Sequence, residues 1–464
     1  MQINLKPERM LNRMQTTLTT EKNKLYMFAP AAFLLAGLMP EYVAPFFTVA
    51  GFAAVLKKRA AEKKKPRFGD MGICIIAYMA WMVAGTFYSS SIISSLASIG
   101  LWLLMFSGYY FFTETVDSAE KVDTIMYCGS LTAGISGAIG IGQMFLFHIG
   151  NHFDSSISNA FNPFWRFLNL LIEKLVVFLP EFITSKMGST TFHSFDTRAC
   201  STFSNPLFFA AIEVMLLPFA AYMFLCAPTL KKRIIGFFCF MLSVGGIACS
   251  YSRGPYLFAV AVCAILLLYG GKKTLKLMGI GVAAGGIVMI FASGTVKRLF
   301  TLLSGKDISV NTRKAIWDGI FDMIGDKPIL GYGTGFDNVR QMLHNVYNVK
   351  QPHAHNIFLE AWVENGILGV LLLIAVFLVF FINIIRLYRL KDKCREYAIT
   401  LFASVAGFVL CGMTDCLFYG LKPLQYLMMV LGLSQAVFAI YLNKQTEKNN
   451  EHIINRQQFF HQCP

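Results

Sequence analysis

Long apolar runs separated by short polar breaks recur from one end of the chain to the other, and their lengths set the first expectation. A helix crosses the hydrocarbon of a bilayer with about 17 to 25 apolar residues. Runs of that kind fall near 25–39, 42–56, 70–89, 92–113, 124–148, 205–227, 234–251, 255–270, 277–293, 357–385, 397–414 and 421–441, the first two being short. The pattern predicts an all-α polytopic membrane protein of about twelve transmembrane helices. Residues 1–24 are polar and no small-residue cleavage pattern follows the first run, so that run is expected to stay as an anchor rather than leave as a signal peptide.

Composition agrees: 55% of residues are hydrophobic and 14% charged, against roughly 25% charged in soluble domains. With both termini in the cytoplasm, every short inner loop contains Lys or Arg. Examples are "KKRAAEKKKPR" at 57–67, "KKR" at 231–233 and "RLYRLKDKCR" at 386–395, as the positive-inside rule requires. The net charge of +15 therefore reads as a topological signal with anionic membrane lipids as partners, and no nucleic acid is expected. The 11 cysteines form no CxxC pair and fall mostly inside spans, so they read as small buried apolar residues, neither disulfides nor metal ligands.

Two outer segments are much longer than the rest. They divide the chain into an N-terminal bundle of five spans (1–150), a first outer loop (151–204) and spans six to nine (205–293). A second outer loop (294–356), spans ten to twelve (357–441) and a cytoplasmic tail (442–464) follow. In the first loop, "FNPFWRFLNLLIEKLVVFLPEF" at 161–182 is apolar but carries Glu173 and Lys174 at its centre. Each would cost about 2.5 to 3.5 kcal/mol in mid-span, so the segment is expected to lie in the outer interface or to be re-entrant. In the second loop, Ile316, Ile320, Phe321 and Ile324 recur at helical spacing opposite Asp318, Asp322 and Asp326, which predicts an amphipathic helix. Asn311 or Thr312 is expected to cap it, and Lys327, Pro328 and Gly331 to end it. Arg313 and Lys314 would then sit in its first turn, where the helix dipole disfavours cations; either a bound anion or a capping carboxylate from elsewhere would compensate. The following "GYGTGF" lacks the strand and the Lys-Ser/Thr of a nucleotide loop and reads as a tight turn that admits close backbone approach.

The charges nearest the membrane carry the chemistry. Arg253, in the hairpin "CSYSRGPY" at 249–256, is held at the outer boundary of the hydrocarbon. It is either a functional cation or an arginine snorkelling to headgroups, and Arg198 has the same two readings. His355 and Asn356 open the tenth span, where the dipole favours a neutral imidazole; the histidine is either a base or an interfacial anchor. His353, two residues away, is expected to point elsewhere. Arginines at this depth suit a lipid pyrophosphate, and a neutral imidazole beside them suits deprotonation of an incoming hydroxyl. Together they describe displacement at a sugar carbon with charge stabilised on the leaving group. With no outer DxD or HExxH, no metal and no cofactor are expected. Span centres with almost no ionisable groups, and no internal repeat, argue against a secondary transporter.

His355 and Asn356, followed after nine residues by Gly366, Ile367, Leu368 and Gly369, resemble the H-[NSQ]-x9-G-x-x-[GTY] signature of the O-antigen ligase and polymerase superfamily. "STFSNPLFFA", "YSRGPY", "RKAIWDGIFDMIGDKPILGYGTGF" and "PHAHN" resemble the same family in order and spacing, over about 198–420. The resemblance implies a GT-C-like, metal-independent glycosyltransferase of the bacterial cytoplasmic membrane, acting on the extracytoplasmic face. It would transfer a glycan from undecaprenyl pyrophosphate to an acceptor hydroxyl with inversion. It implies His355 as the base, Arg253 and Arg313 as pyrophosphate ligands, and Arg198, Asn356, Gly366 and Gly369 in support. The acceptor stays open between a ligase, acting on a lipid A core, cell-wall polymer or protein, and a repeat-unit polymerase, acting on a second lipid-linked glycan. The first outer loop is longer than a lipopolysaccharide ligase leads one to expect. Glu41, in "LMPEYV" between the first two spans, stands where other GT-C enzymes carry an acidic catalytic residue, and is otherwise an ordinary turn carboxylate.

Overall fold

The structure, a computed structural model, describes residues 28–152, 198–272, 275–276, 279–280, 308–346, 353–390 and 393–461. Its helices are α1 (Phe28–Leu38), α2 (Ala44–Ala61), α3 (Gly69–Gly85), α4 (Ile92–Thr115), α5 (Ala119–His152), α6 (Pro206–Cys226) and α7 (Leu230–Cys249). They continue as α8 (Arg253–Gly270), α9 (Ile308–Asp326), α10 (Phe336–Asn345), α11 (Ile357–Arg389), α12 (Lys393–Gly412) and α13 (Leu421–His461). No strand occurs among the described residues.

Every expected apolar run coincides with one of these helices except 277–293, which apart from residues 279–280 lies outside the described residues, as does the segment 161–182. Among the described residues, 8 helices are long and apolar enough to cross a membrane, and α1 and α8 are shorter apolar helices. The outward face of α11 is apolar: Leu371, Leu378 and Ile385 recur every seven residues and are all exposed. Such a stripe is a liability in water and an ordinary surface in lipid. The ten described cysteines are free, and all are buried or half-buried.

Local sequence explains how the helices start and how closely they pack. The Asn205 side chain accepts the Leu207 N–H at 2.8 Å with Pro206 as the first helical residue of α6, and Thr229 caps α7 through the Lys232 N–H. α5 packs on α6 and α7, where a side chain at Gly137 would meet the Leu242 carbonyl and one at Gly246 would meet the Gly137 backbone at 2.8 Å. Small residues therefore let these helices approach to backbone contact, the principal packing device available in lipid.

Three expectations are corrected. α9 begins at Ile308, not at 311 or 312, so Asn311 and Thr312 do not cap it and Arg313 leaves the first turn, where the dipole acts most strongly. Its buried stripe is Ile316, Ile320, Met323 and Ile324, while Phe321 is 54% exposed. The span interiors also hold ionisable groups: Glu213 in mid-α6 and Lys422 at the head of α13 are fully buried. Ser243 Oγ donates to Glu213 at 2.6 Å, and Lys422 Nζ donates to the Thr202 carbonyl at 2.7 Å. These hydrogen bonds offset part of the cost of burial, though Glu213 Oε1 has no partner among the described residues. α10, a short polar helix that follows the glycine-rich turn, is an element the sequence pattern does not predict.

One backbone feature positions the site. α11 is interrupted at Gly366, whose φ of 63° and ψ of −172° belong to a region only glycine populates freely. The carbonyls freed there are taken up by the turn before α10: Tyr332 N–H donates to Val363 O and Gly333 N–H to Glu364 O, both at 2.9 Å. Ile367 N–H returns to Pro328 O at 2.9 Å, and Trp81 Nε1 donates to Asn365 O at 2.8 Å. The glycine-rich "GYGTGF" is a close-approach turn as expected, with a side chain at Gly331 falling 2.6 Å from Glu364 O.

Gly366→Ala would place a methyl group against the Ile329 carbonyl as well as straining the backbone, and should lower stability by about 2 kcal/mol or more. Gly100, with nothing within 4 Å of an added Cβ, is the control: Gly100→Ala should leave the midpoint of thermal unfolding in detergent unchanged or slightly raised.

Candidate functional site

The site is built where α11 begins. Asn356 caps that helix, its side-chain oxygen accepting the Phe358 and Leu359 N–H groups at 2.9 and 3.2 Å, and its amide nitrogen reaches Met413 O at 3.4 Å. The cap ties the start of α11 to the turn that follows α12. His355, immediately before it, has a φ of 50°, an uncommon conformation for a residue with a side chain and one held only where neighbours enforce it.

That conformation aims the imidazole at Asp415. His355 Nδ1 lies 3.0 Å from Asp415 Oδ1, and the same oxygen accepts the Cys416 N–H at 2.9 Å. An ionised carboxylate only accepts, so the proton sits on Nδ1 and Nε2 presents a lone pair. Burial acts to raise the pKa of Asp415, but the hydrogen bond and charge of His355, the charge of His353 and the Cys416 N–H outweigh it, leaving it below the ordinary aspartate value. The carboxylate is therefore charged at neutral pH and suited to orienting an imidazole and stabilising its protonated form.

His353 does not point away, contrary to expectation. The left-handed turn at His355 brings the two rings to 4.1 Å between centroids, and the His355 N–H donates to His353 Nδ1 at 3.3 Å. Burial, with the charge of His355, pushes the pKa of His353 down to about 4 against an opposing pull from Asp415, so His353 is neutral at physiological pH. His353, His355 and Asp415 each offer a ligand atom, all within 4.8 Å of one another, a donor set that a divalent ion could use. In the arrangement described, however, both Nδ1 atoms are already hydrogen-bonded.

The arginines gather around the same turn. A guanidinium nitrogen of Arg313, on α9, donates to Thr414 O at 3.2 Å, one residue from Asp415. Arg253 opens α8, and the next residue, Gly254, is so close to Thr414 that an added Cβ would lie 3.1 Å from its hydroxyl. Arg198 braces the turn leading to Arg253: its Nε donates to Ser250 O at 3.0 Å and a terminal nitrogen to Ser252 Oγ at 2.7 Å. Arg313 thus contacts the Asp415 turn directly and the start of α8 that carries Arg253 lies against it, while Arg198 contacts the turn before Arg253. Gly366 is the break that lets the turn at 328–335 dock, and Gly369 continues α11 one turn later.

Glu41 stands apart from this arrangement. It is buried and accepts the Ser204 N–H at 3.2 Å and the Leu421 N–H at 3.1 Å, one on each oxygen. It caps the start of α13 and joins three segments, as a structural carboxylate does.

Asp415 escaped the sequence reading. It lies in "GMTDC" between two apolar runs and, like the arginines, is an ionisable group at a span mouth.

Comparison with known proteins adds an independent line. Residues 237–374 match the O-antigen ligase family. An uncharacterized protein from Haemophilus influenzae is 28% identical over 190 residues, covering 35% of this chain and 47% of that protein. The exopolysaccharide production protein ExoQ of Rhizobium meliloti is 31% identical over 124 residues, covering 25% of this chain and 27% of that protein. The matches thus span about half the length of the first relative and about a quarter of the second. The family match contains Arg253, Arg313, His355, Gly366 and Gly369, and leaves Arg198 and Asp415 outside. Over residues 237–374, then, the chain is similar to the O-antigen ligase family.

Proposed function

We propose that the chain is a membrane glycosyltransferase of the O-antigen ligase type. It moves a glycan from undecaprenyl pyrophosphate to an acceptor hydroxyl at the extracytoplasmic face of the bacterial cytoplasmic membrane, with both termini in the cytoplasm. The observation that carries this reading is the His355–Asp415 pair, 3.0 Å apart, on a turn that Arg313 also contacts. A base with a free Nε2 and guanidinium groups beside it suit removal of a hydroxyl proton opposite a departing polyanion.

In the step this supports, the acceptor hydroxyl gives its proton to His355 Nε2 and its oxygen attacks the anomeric carbon. The bond from that carbon to the pyrophosphate oxygen breaks, and the electron pair leaves on the lipid pyrophosphate. Arg253 and Arg313 meet the charge that develops there, bidentate guanidinium contacts suiting phosphate oxygens. Asp415 stabilises the imidazolium until the proton passes to solvent. Attack opposite the leaving group inverts the anomeric carbon. Arg198 supports the turn carrying Arg253, and anionic lipids surround the positive inner loops.

A repeat-unit polymerase would use the same donor and base with a second lipid-linked glycan as acceptor. The name of the Rhizobium relative, an exopolysaccharide production protein, favours keeping that reading beside the ligase. Offering purified protein a lipid-linked glycan, a lipid A core and a peptidoglycan fragment separates the two by which one becomes glycosylated.

His355→Ala should lower transfer from a lipid-linked donor by about 10²- to 10⁴-fold, and Arg253→Ala by about 10²- to 10³-fold, with both proteins inserted and monodisperse. Full transfer by purified His355→Ala would remove the base assignment. Asp415→Asn frees His355 to adopt the wrong tautomer and should cost up to about 10⁴-fold in kcat with little change in KM. Glu41→Ala should lower thermal stability and retain transfer; loss of transfer with an intact fold would move the base to Glu41.

A further inference from the structure

The chemistry above leaves one group of buried titratable side chains unused. Glu360 and Glu364 lie one turn apart at the start of α11, only 2% and 7% exposed. Between them stands Tyr419, whose hydroxyl oxygen is 2.7 Å from Glu360 Oε1 and 2.6 Å from Glu364 Oε1. A phenol has one proton and can donate to only one of the two. The other contact is a hydrogen bond only if its carboxyl carries a proton and donates to Tyr419. At least one of the two carboxyls therefore carries a proton.

The remaining contacts indicate where that proton sits. Glu364 Oε1 also accepts the Gly335 N–H at 2.9 Å, so two donors converge on it, as suits an ionised carboxylate. Glu360 accepts the Ala354 N–H at 2.6 Å on its other oxygen, Oε2, which leaves Oε1 to carry the proton toward Tyr419. The other titratable groups facing the pair are Tyr78 from α3 and Cys416 from the turn after α12, with the His353 ring beyond Tyr419, 6.0 Å between centroids. Burial, together with both carboxyls, pushes the Tyr419 phenol well above its ordinary value, so it keeps its proton when Glu360 gives one up. The cavity lined by the pair, Tyr419, Trp102 and Thr334 has a volume of about 20 Å³. That is room for about one water and far too little for a sugar, so the group does not bind glycan.

What it does bind is backbone on both sides of the catalytic pair. The Ala354 N–H precedes His355, the Gly335 N–H belongs to the turn docked on the α11 break, and Tyr419 lies four residues after Asp415. We propose that Glu360, Glu364 and Tyr419 are positioning residues for His355 and Asp415, held in register by one proton on Glu360, whose loss at high pH releases the turn carrying His355. The inference rests on the transfer reading for its activity readout but not for its spectroscopic one.

The test uses the full chain in lipid nanodiscs, with infrared spectra, mass-spectrometric alkylation of Cys416 and the pH profile of transfer measured on the same samples. Wild type should show a protonated-carboxyl C=O band that Glu360→Gln removes, that Glu213→Gln leaves in place, and that disappears as pH rises. Transfer should fall and Cys416, buried beside the pair, should become alkylated over the same pH range. Glu360→Gln, whose amide donates to Tyr419 as the acid did, should support transfer and hold it into the alkaline range where wild type fails. Glu360→Ala should lose on the order of 100-fold at every pH, the scale expected when a catalytic group moves by about 1 Å. The proposal is overturned if Glu360→Gln removes no acid band, or if its alkaline limb and Cys416 alkylation match wild type. If wild type transfers nothing from a lipid-linked donor, the transferase reading fails, while the Glu360 band and the Cys416 alkylation still decide the proton on Glu360 and the release of the turn.

Discussion

The end of this molecule that holds the candidate site depends on a helix that stops and restarts. A continuous α11 would satisfy its own carbonyls, and the turn at 328–335 would have nothing to hold. Because the chain breaks at Gly366, the carbonyls of Val363, Glu364 and Asn365 accept from Tyr332, Gly333 and Trp81 instead. Unpaired backbone at membrane depth is costly, and irregular backbone survives there only where protein covers it. The docked turn supplies that cover. It also fixes the path from α9 to α10, and so the position of Arg313 relative to the Thr414 carbonyl.

The same end of the molecule brings together charges that each would be expensive alone. His355 and Asp415 form a hydrogen-bonded pair, Arg313 reaches the neighbouring carbonyl, and Arg198 is held by the 250–252 turn. These contacts come from segments far apart in the chain, and few side chains bridge them: Asn356 to Met413 and Tyr419 to the two glutamates are the clearest. A site assembled this way keeps its geometry by cross-bracing between turns, which suits a reaction on a substrate arriving from the membrane plane.

The helices were legible because bilayer thickness imposes a length on apolar runs and lysines mark one side. Arg253 and His355 stand out in the sequence as ionisable groups in places where such groups are costly, Gly366 as part of a motif, and Arg313 only through a helix start that the structure moves to Ile308. The start of α9 was misplaced because Asn311 and Thr312 are good caps by propensity, whereas the helix already runs from Ile308. His353 was misjudged because spacing of two was read with ordinary backbone angles, whereas His355 turns left-handed. Glu213 and Lys422 went unremarked because a single charge barely alters an apolar window, and their partners Ser243 and Thr202 lie on other segments. Glu360 and Glu364, four residues apart, looked like the polar start of a span; only the placement of Tyr419 between them shows that at least one of them carries a proton.

The central claim is a single displacement in which His355 activates the acceptor and no covalent glycosyl-enzyme intermediate forms. The anomeric configuration of the product tests it most directly, determined by nuclear magnetic resonance after one round of transfer from a lipid pyrophosphate donor of known configuration. The account predicts a product linkage of opposite configuration to the donor. A product that retains the donor's configuration would require two displacements and a protein nucleophile, and would contradict it.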